Sequence, residues 1–146
     1  MIVIIRIKGI VGLKSEIAET LKRLRLRKKY SCVVLPENQK NMGMIKKVKD
    51  YVAYGQISDE IFEKLIEKRG QILNKNQNNK INPKDIVKEI KEGKKYQELN
   101  LKPYFRLHPA RGGIDTKRQF SEKKDAKKGV LGNHGEKINE LVERML

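Results

Sequence analysis

With 146 residues and 17.0 kDa, the chain has the size of one domain, or of a small domain with an appendage. Thirty-four Lys and Arg against eighteen Asp and Glu leave a formal net charge of +16, while 38% hydrophobic residues, 5% aromatics and no Trp predict a modest aliphatic core. A single cysteine, Cys32, excludes an internal disulfide or a multi-cysteine zinc site, and the longest apolar run, Met1 to Ile5, is far below the roughly 18 residues of a membrane span, so the chain is expected to be soluble and intracellular.

Residues 2–8 (Ile-Val-Ile-Ile-Arg-Ile-Lys) are β-branched and read as a central strand buried on both faces at first, with Arg6 and Lys8 turning outward at its end. Gly9 and Gly12 bracket a loop. Ser15 is a candidate cap for a helix with Glu16 and Glu19 near its start, Arg25 and Arg27 near its end, and Ile17, Leu21 and Leu24 on one face. Tyr30 to Leu35 is a second strand stopped by Pro36. Asn41 to Lys49 is a short helix, and Tyr51 to Tyr54 is a third strand closed by Gly55. This β-α-β-α-β order within residues 1–56 predicts an α+β fold, a two-layer sandwich with both helices on one side of a three-stranded sheet. Residues 57–101 then form a helical extension. Ser58 caps a helix through Lys68 that Gly70 stops. A polar loop covers 74–80, and Asn82-Pro83 opens another helix that ends at Gly93. Residues 102–135 have few apolar periods and many Gly, Lys and Arg, the composition of a basic irregular arm. An amphipathic helix over 136–146 tethers the arm at its far end.

The charge is uneven. Residues 1–57 carry a net +9, residues 58–101 only +2, and residues 102–146 a net +5. The run Lys22-Arg23-Leu24-Arg25-Leu26-Arg27-Lys28-Lys29 has six basic residues in eight and no acid. Concentrated positive charge points to a nucleic acid, and the absence of a long helix with opposed apolar and basic faces argues against a membrane surface. One candidate RNA-binding edge therefore comprises Arg6, Lys8, Arg23, Arg25, Arg27, Lys28, Lys29, Lys46, Lys47 and Lys49, with Gly43 either allowing close backbone approach to RNA or serving as a packing glycine. The stretch Phe105-Arg106-Leu107-His108-Pro109-Ala110-Arg111-Gly112-Gly113 supplies a second. Arg106 and Arg111 can fork onto phosphate, Gly112 and Gly113 let backbone N–H groups approach it, and His108, Lys117 and Arg118 add polar contacts.

The inventory for catalysis is poor. His108 and His134 could act as an acid–base pair in RNA cleavage, but each sits among glycines and basic residues, where a phosphate contact or a solvated position is the simpler reading. Cys32 reads as a packing thiol, and no His, Cys or carboxylate set has metal-ligand spacing, so neither a cofactor nor a small-molecule substrate is expected. Gly9-Ile10-Val11-Gly12 has the spacing of some RNA-clamping loops but reads as a plain turn. Tyr30, Tyr51, Tyr54, Tyr104 and Phe105 are candidates to stack an unpaired base, although strand aromatics more often serve the core.

Four segments resemble one known family: Leu21-Lys22-Arg23-Leu24-Arg25-Leu26, the stretch from Gly43 to Gly55 (Gly-Met-Ile-Lys-Lys-Val-Lys-Asp-Tyr-Val-Ala-Tyr-Gly), the Phe105–Gly113 stretch, and Ile138 to Leu146. In this order and separation the chain resembles the archaeal large-subunit ribosomal protein family called L-thirty, whose eukaryotic counterpart is called L-seven. Ala110 stands where the family often has a second proline. The resemblance implies a ferredoxin-like sandwich whose sheet has strand order 3-1-2 and is largely antiparallel. It implies a non-enzymatic protein of the cytoplasmic ribosome that binds large-subunit ribosomal RNA near the docking region of the 5S RNA, beside neighbouring ribosomal proteins. RNA would be read by shape and backbone, because A-form major grooves admit side chains poorly. The alternative is a nucleic-acid-binding regulator outside the ribosome.

Overall fold

The computed structural model describes residues 1–74, 82–121 and 129–146. Most of the polar 74–80 loop and residues 122–128 of the basic arm lie outside the described residues. The N-terminal apolar run forms β1 (Ile2–Arg6), and all five of its residues are buried. It pairs antiparallel with β2 (Ser31–Leu35) on one side and with β3 (Val52–Gln56) on the other, in the registers Val3↔Val34 and Ile4↔Tyr54. The first crossover is α1 (Ser15–Arg23), with Glu16 in its first turn and Lys22 and Arg23 in its last, signs that suit the helix dipole. Its N-cap position is Lys14, so Ser15 is already helical instead of capping. The second crossover is α2 (Gln39–Val48).

Side chains alternate across a strand, and here each face has a cover. Ile2 and Ile4 pack with Leu21, Leu24 and Leu26 from α1 and its exit, and with Ile45 and Val48 from α2. Val3, Ile5 and Ile7 pack on the opposite face with α3 (Asp59–Arg69), α4 (Pro83–Lys91) and α5 (Ile138–Met145). The expected two layers are therefore three. A strand with no polar position between Ile2 and Ile5 cannot leave a face in water, since each buried aliphatic side chain is worth about 1.5–3 kcal/mol.

The expected three-stranded sheet has six strands, in the order β4-β2-β1-β3-β6-β5. The core order is the 3-1-2 that the family resemblance implies. The additional strands are β4 (Phe105–Arg106), β5 (Asp115–Gln119) and β6 (Gly129–Asn133), so the stretch expected to be irregular contributes one strand beside β2 and two beyond β3. β4 lies antiparallel to β2, whereas β6 runs parallel to β3 and carries β5 parallel to itself. Gly55, expected to close the third strand, sits inside it. A Cβ there would fall 2.2 Å from the backbone oxygen of Gly135 in the short 3-10 helix Gly135–Lys137 that packs across β3.

Candidate nucleic-acid interface

The basic run begins at the end of α1 and is shaped by how that helix stops. The Leu26 N–H donates to the Leu21 oxygen at 2.8 Å, and the Arg25 N–H donates to the Lys22 oxygen at 3.0 Å. These are the two bonds of a Schellman motif, and Leu21 and Leu26 are both buried beneath it. The motif needs a left-handed residue at the position after the cap, usually Gly. This chain puts Arg25 there, at φ 61°. A non-glycine residue in that region costs about 1–2 kcal/mol, so the turn carries strain to hold an arginine head out in solvent.

Arg6 corrects the expectation that it turns outward to phosphate. It is 3% exposed. Positions 2, 4 and 6 share the face that packs on α1 and α2, and the guanidinium therefore points inward beneath the basic loop. Its Nε donates to the Lys8 oxygen at 3.0 Å, Nη1 to the Leu26 and Arg27 oxygens at 2.7 and 3.0 Å, and Nη2 to the Gly9 oxygen at 2.9 Å. Four of its five donors are spent on backbone. Burial pushes its pKa down from the ordinary value, but a guanidinium stays charged. Arg6 is thus the support of the loop that presents Arg25, Arg27, Lys28 and Lys29.

Pairing of β4 with β2 brings the two basic segments together. Ser31 opposes Arg106, so an arginine distant in sequence lands beside the run. The result is a cavity of about 570 Å³ lined by Lys22, Arg23, Arg25, Arg27, Lys28, Ser31, Tyr104 and Arg106, which are six cations with no acid among them. Arg23 pairs with Glu19 at 2.6 Å. Among the described residues, no other lining cation has an ion-pair partner. Lys22 is a member that sequence reasoning did not select as an RNA contact, and Tyr104 is the one base-stacking candidate that lines the cavity. Membership depends on the non-local β2–β4 pairing, for which the sequence carries no periodic signal.

The remaining candidates fall elsewhere. Lys8 lies 5.3 Å over the Tyr51 ring and Lys29 lies 4.9 Å over Tyr30, each half-committed to an aromatic face. Lys46, Lys47 and Lys49 are exposed on or just after α2, where Lys47 reaches Glu16 of α1 at 3.5 Å. Gly43 is exposed within α2, and a Cβ there would meet nothing within 4 Å, so it is not a packing glycine. His108, Arg111, Gly112 and Gly113 form an exposed turn with both glycines at positive φ. Arg144 of α5 fixes this turn. Its Nε and Nη2 donate to the Arg111 oxygen at 3.0 and 2.7 Å, and Nη2 also donates to the Gly113 oxygen at 2.7 Å. Lys117 and Arg118 lie on β5, the strand at the far edge from Arg106. Five inter-strand steps separate them, about 24 Å at ordinary spacing, so the Arg106–Arg118 stretch does not form one patch.

The two histidines do not form a catalytic set. His134 is buried, its Nε2–H donates to the Val130 oxygen at 2.8 Å, and its ring stacks on Phe120 at 4.0 Å. Burial lowers its pKa from the ordinary value, against a weaker opposite pull from the Val130 carbonyl. Cys32 is fully buried in β2, and burial raises its thiol pKa far from reactivity. Among the described residues, no group of His, Cys, Asp and Glu could hold a metal ion, and no helix is long and apolar enough to cross a membrane.

The sequence profile described as ribosomal protein L30p/L7e matches residues 2–52. Large ribosomal subunit protein uL30 of Methanococcus vannielii is 40% identical over 98% of this chain and 97% of its own. The uL30 proteins of Archaeoglobus fulgidus (39% identical, 99% of both chains) and Methanosphaera stadtmanae (37%, 100% of both) extend the likeness through the basic arm and the C-terminal helix. Similarity of this depth along the whole chain shows that it belongs to the ribosomal protein L30p/L7e family, whose members are structural and not enzymatic.

Proposed function

We propose that the chain is a constituent of the large ribosomal subunit that binds ribosomal RNA, near the region where the 5S RNA docks, and stabilises the RNA fold in the cytoplasmic ribosome. The single observation that supports this reading is the cavity lined by six cations and no acid, built from segments eighty residues apart. Uncompensated charge at that density suits a bent or crowded phosphate backbone. Lys46, Lys47 and Lys49, and Lys117 and Arg118 at the far edge, supply further backbone contacts. The Gln119 amide donates to the Asp50 carboxylate at 3.1 Å and so joins β5 to the end of α2. Contacts of this kind position a protein without reading sequence. Neighbouring ribosomal proteins complete its surroundings, and the relatives named uL30 of the large subunit support that placement.

The test is binding of purified protein to large-subunit RNA across a salt series. Six neutralised phosphates predict a loss of about a thousandfold or more in affinity between roughly 50 and 200 mM salt. Arg27→Ala with Arg106→Ala should flatten that slope by about two ion equivalents without lowering thermal stability, since it also removes like charges from the cavity. Affinity that is flat with salt, or a protein that never sediments with large subunits at moderate salt, refutes the reading.

A further inference from the structure

The basic cavity contains one feature that phosphate binding does not need. Tyr104 lies in its wall among the six cations. The other described tyrosines and phenylalanines are largely committed. Lys8 and Lys29 lie over Tyr51 and Tyr30. Tyr96 meets Phe105 edge-on and donates its hydroxyl to the Val34 oxygen at 2.9 Å. Phe120 stacks on His134, Phe62 is buried in the core, and Tyr54 packs half-buried beside Ile2 and Ile4. Tyr104 has no ring, cation or hydrogen-bond partner among the described residues. It is half-buried against the α1–α2 core layer, so its ring is already held in place.

We infer that the cavity takes an unpaired nucleotide turned out of an RNA helix, with its base against the Tyr104 ring and its flanking phosphates among Arg25, Arg27 and Arg106. The inference rests on the RNA-binding reading above and adds the conformation of RNA that the site selects. At about 570 Å³ the space falls within the roughly 300–1,000 Å³ of ordinary ligand sites, whereas a paired helix presents no free base face to a recessed ring. An aromatic platform accepts any base, because every base has a π-face, so the preference is for an unpaired position and not for a sequence. Arg25 supports the same conclusion. Its left-handed turn sets its side chain among the residues that line this cavity.

The experiment compares a fully paired RNA duplex with the same duplex carrying one bulged 2-aminopurine, measured by anisotropy and by 2-aminopurine fluorescence. Wild type should bind the bulged RNA about tenfold more tightly and quench the probe. Tyr104→Leu should lose the preference and the quenching while its affinity for the duplex stays within about twofold. Tyr104→Phe should keep both, and it serves as the folded variant if the leucine form melts early. Equal affinity of wild type for the two RNAs, an unquenched bound probe, or a preference that survives Tyr104→Leu would overturn the inference. Salt-insensitive or absent binding to both RNAs would instead defeat the RNA-binding reading on which it rests.

Discussion

Replacing Arg25 with glycine should make the protein more stable and a poorer RNA binder at once. The residue occupies the left-handed position of a Schellman motif at φ 61°, where an L-side chain costs about 1–2 kcal/mol. Glycine removes that strain, and its greater freedom in the unfolded chain takes back roughly 0.5–1 kcal/mol. In salt that screens the cavity charges, the net gain is about 0.5–1 kcal/mol, or about 1–4 °C in Tm for a chain near 150 residues, and lost like-charge repulsion adds to it at low salt. The same change deletes one of six cavity cations. A slope of about −0.9 per neutralised phosphate makes one contact worth about tenfold in affinity near 0.1 M salt. Arg25→Ala separates the two effects, since it loses the charge but keeps the strained backbone. Calorimetry and RNA anisotropy on both variants make the check. The reasoning is refuted if Arg25→Gly melts below wild type, if the glycine and alanine forms melt alike, or if either retains full affinity for RNA.

Arg6→Met should destabilise the fold by about 2–4 kcal/mol in urea unfolding, because four carbonyls beneath the basic loop lose their donor; a loss below 1 kcal/mol would show that water replaces the guanidinium freely. Gly43→Ala should raise stability by about 0.5–1 kcal/mol, since the site is an exposed helix interior with open space for a Cβ, and any loss of RNA affinity would show that the backbone there approaches RNA. Burial resists protonation of His134 in the folded state, so the unfolded chain binds that proton more readily. Stability should hold above about pH 7.5 and fall as pH drops through the ordinary histidine value of about 6.5, and His134→Gln should flatten that part of the pH–stability profile. Raising salt from about 0.01 to 0.15 M should stabilise the RNA-free protein by about 2 kcal/mol, readable as a rise in Tm; an unchanged Tm would mean that the cavity cations do not crowd one another.

The β-α-β-α-β core was legible because its elements carry strong local periods: a run of β-branched residues at 2–5 and apolar positions at helical spacing in α1. The flanking strands were not, and the reason is physical. β5 (Asp-Thr-Lys-Arg-Gln) is polar throughout, as an exposed edge strand can be, and β6 (Gly-Val-Leu-Gly-Asn) holds three poor strand formers. Each forms because another strand offers unpaired backbone groups, which is a non-local fact. The third layer did leave a trace, since β1 has no polar alternation before Arg6 and so required cover on both sides. Parity could also have placed Arg6 correctly, because a residue in step with Ile2 and Ile4 shares their inward face. The basic character of the interface was plain from Lys22 to Lys29. The joining of that run to Arg106, and the separation of Arg106 from Lys117 and Arg118, required the sheet order.

Gathering like charges around one cavity requires a frame that resists their repulsion. A space of about 570 Å³ is roughly 10 Å across, and at that distance each pair of unit charges repels by about 0.4 kcal/mol in water. Five cations without ion-pair partners make ten pairs, or about 4 kcal/mol before salt screens them. Repulsion of that size is comparable with much of a domain's net stability of about 5–15 kcal/mol, so a loosely held loop would swing its arginines apart. The fold opposes this at three points: the Arg6 guanidinium gathers the loop carbonyls, the Schellman turn over Leu21 and Leu26 fixes Arg25, and the β2–β4 pairing at Ser31 holds Arg106. None of these devices serves the core alone, since a glycine at 25 and a neutral residue at 106 would fold with less strain and less repulsion. A polyanion in the cavity would relieve the crowding, and the free energy stored in the unbound protein would be returned as its phosphates entered.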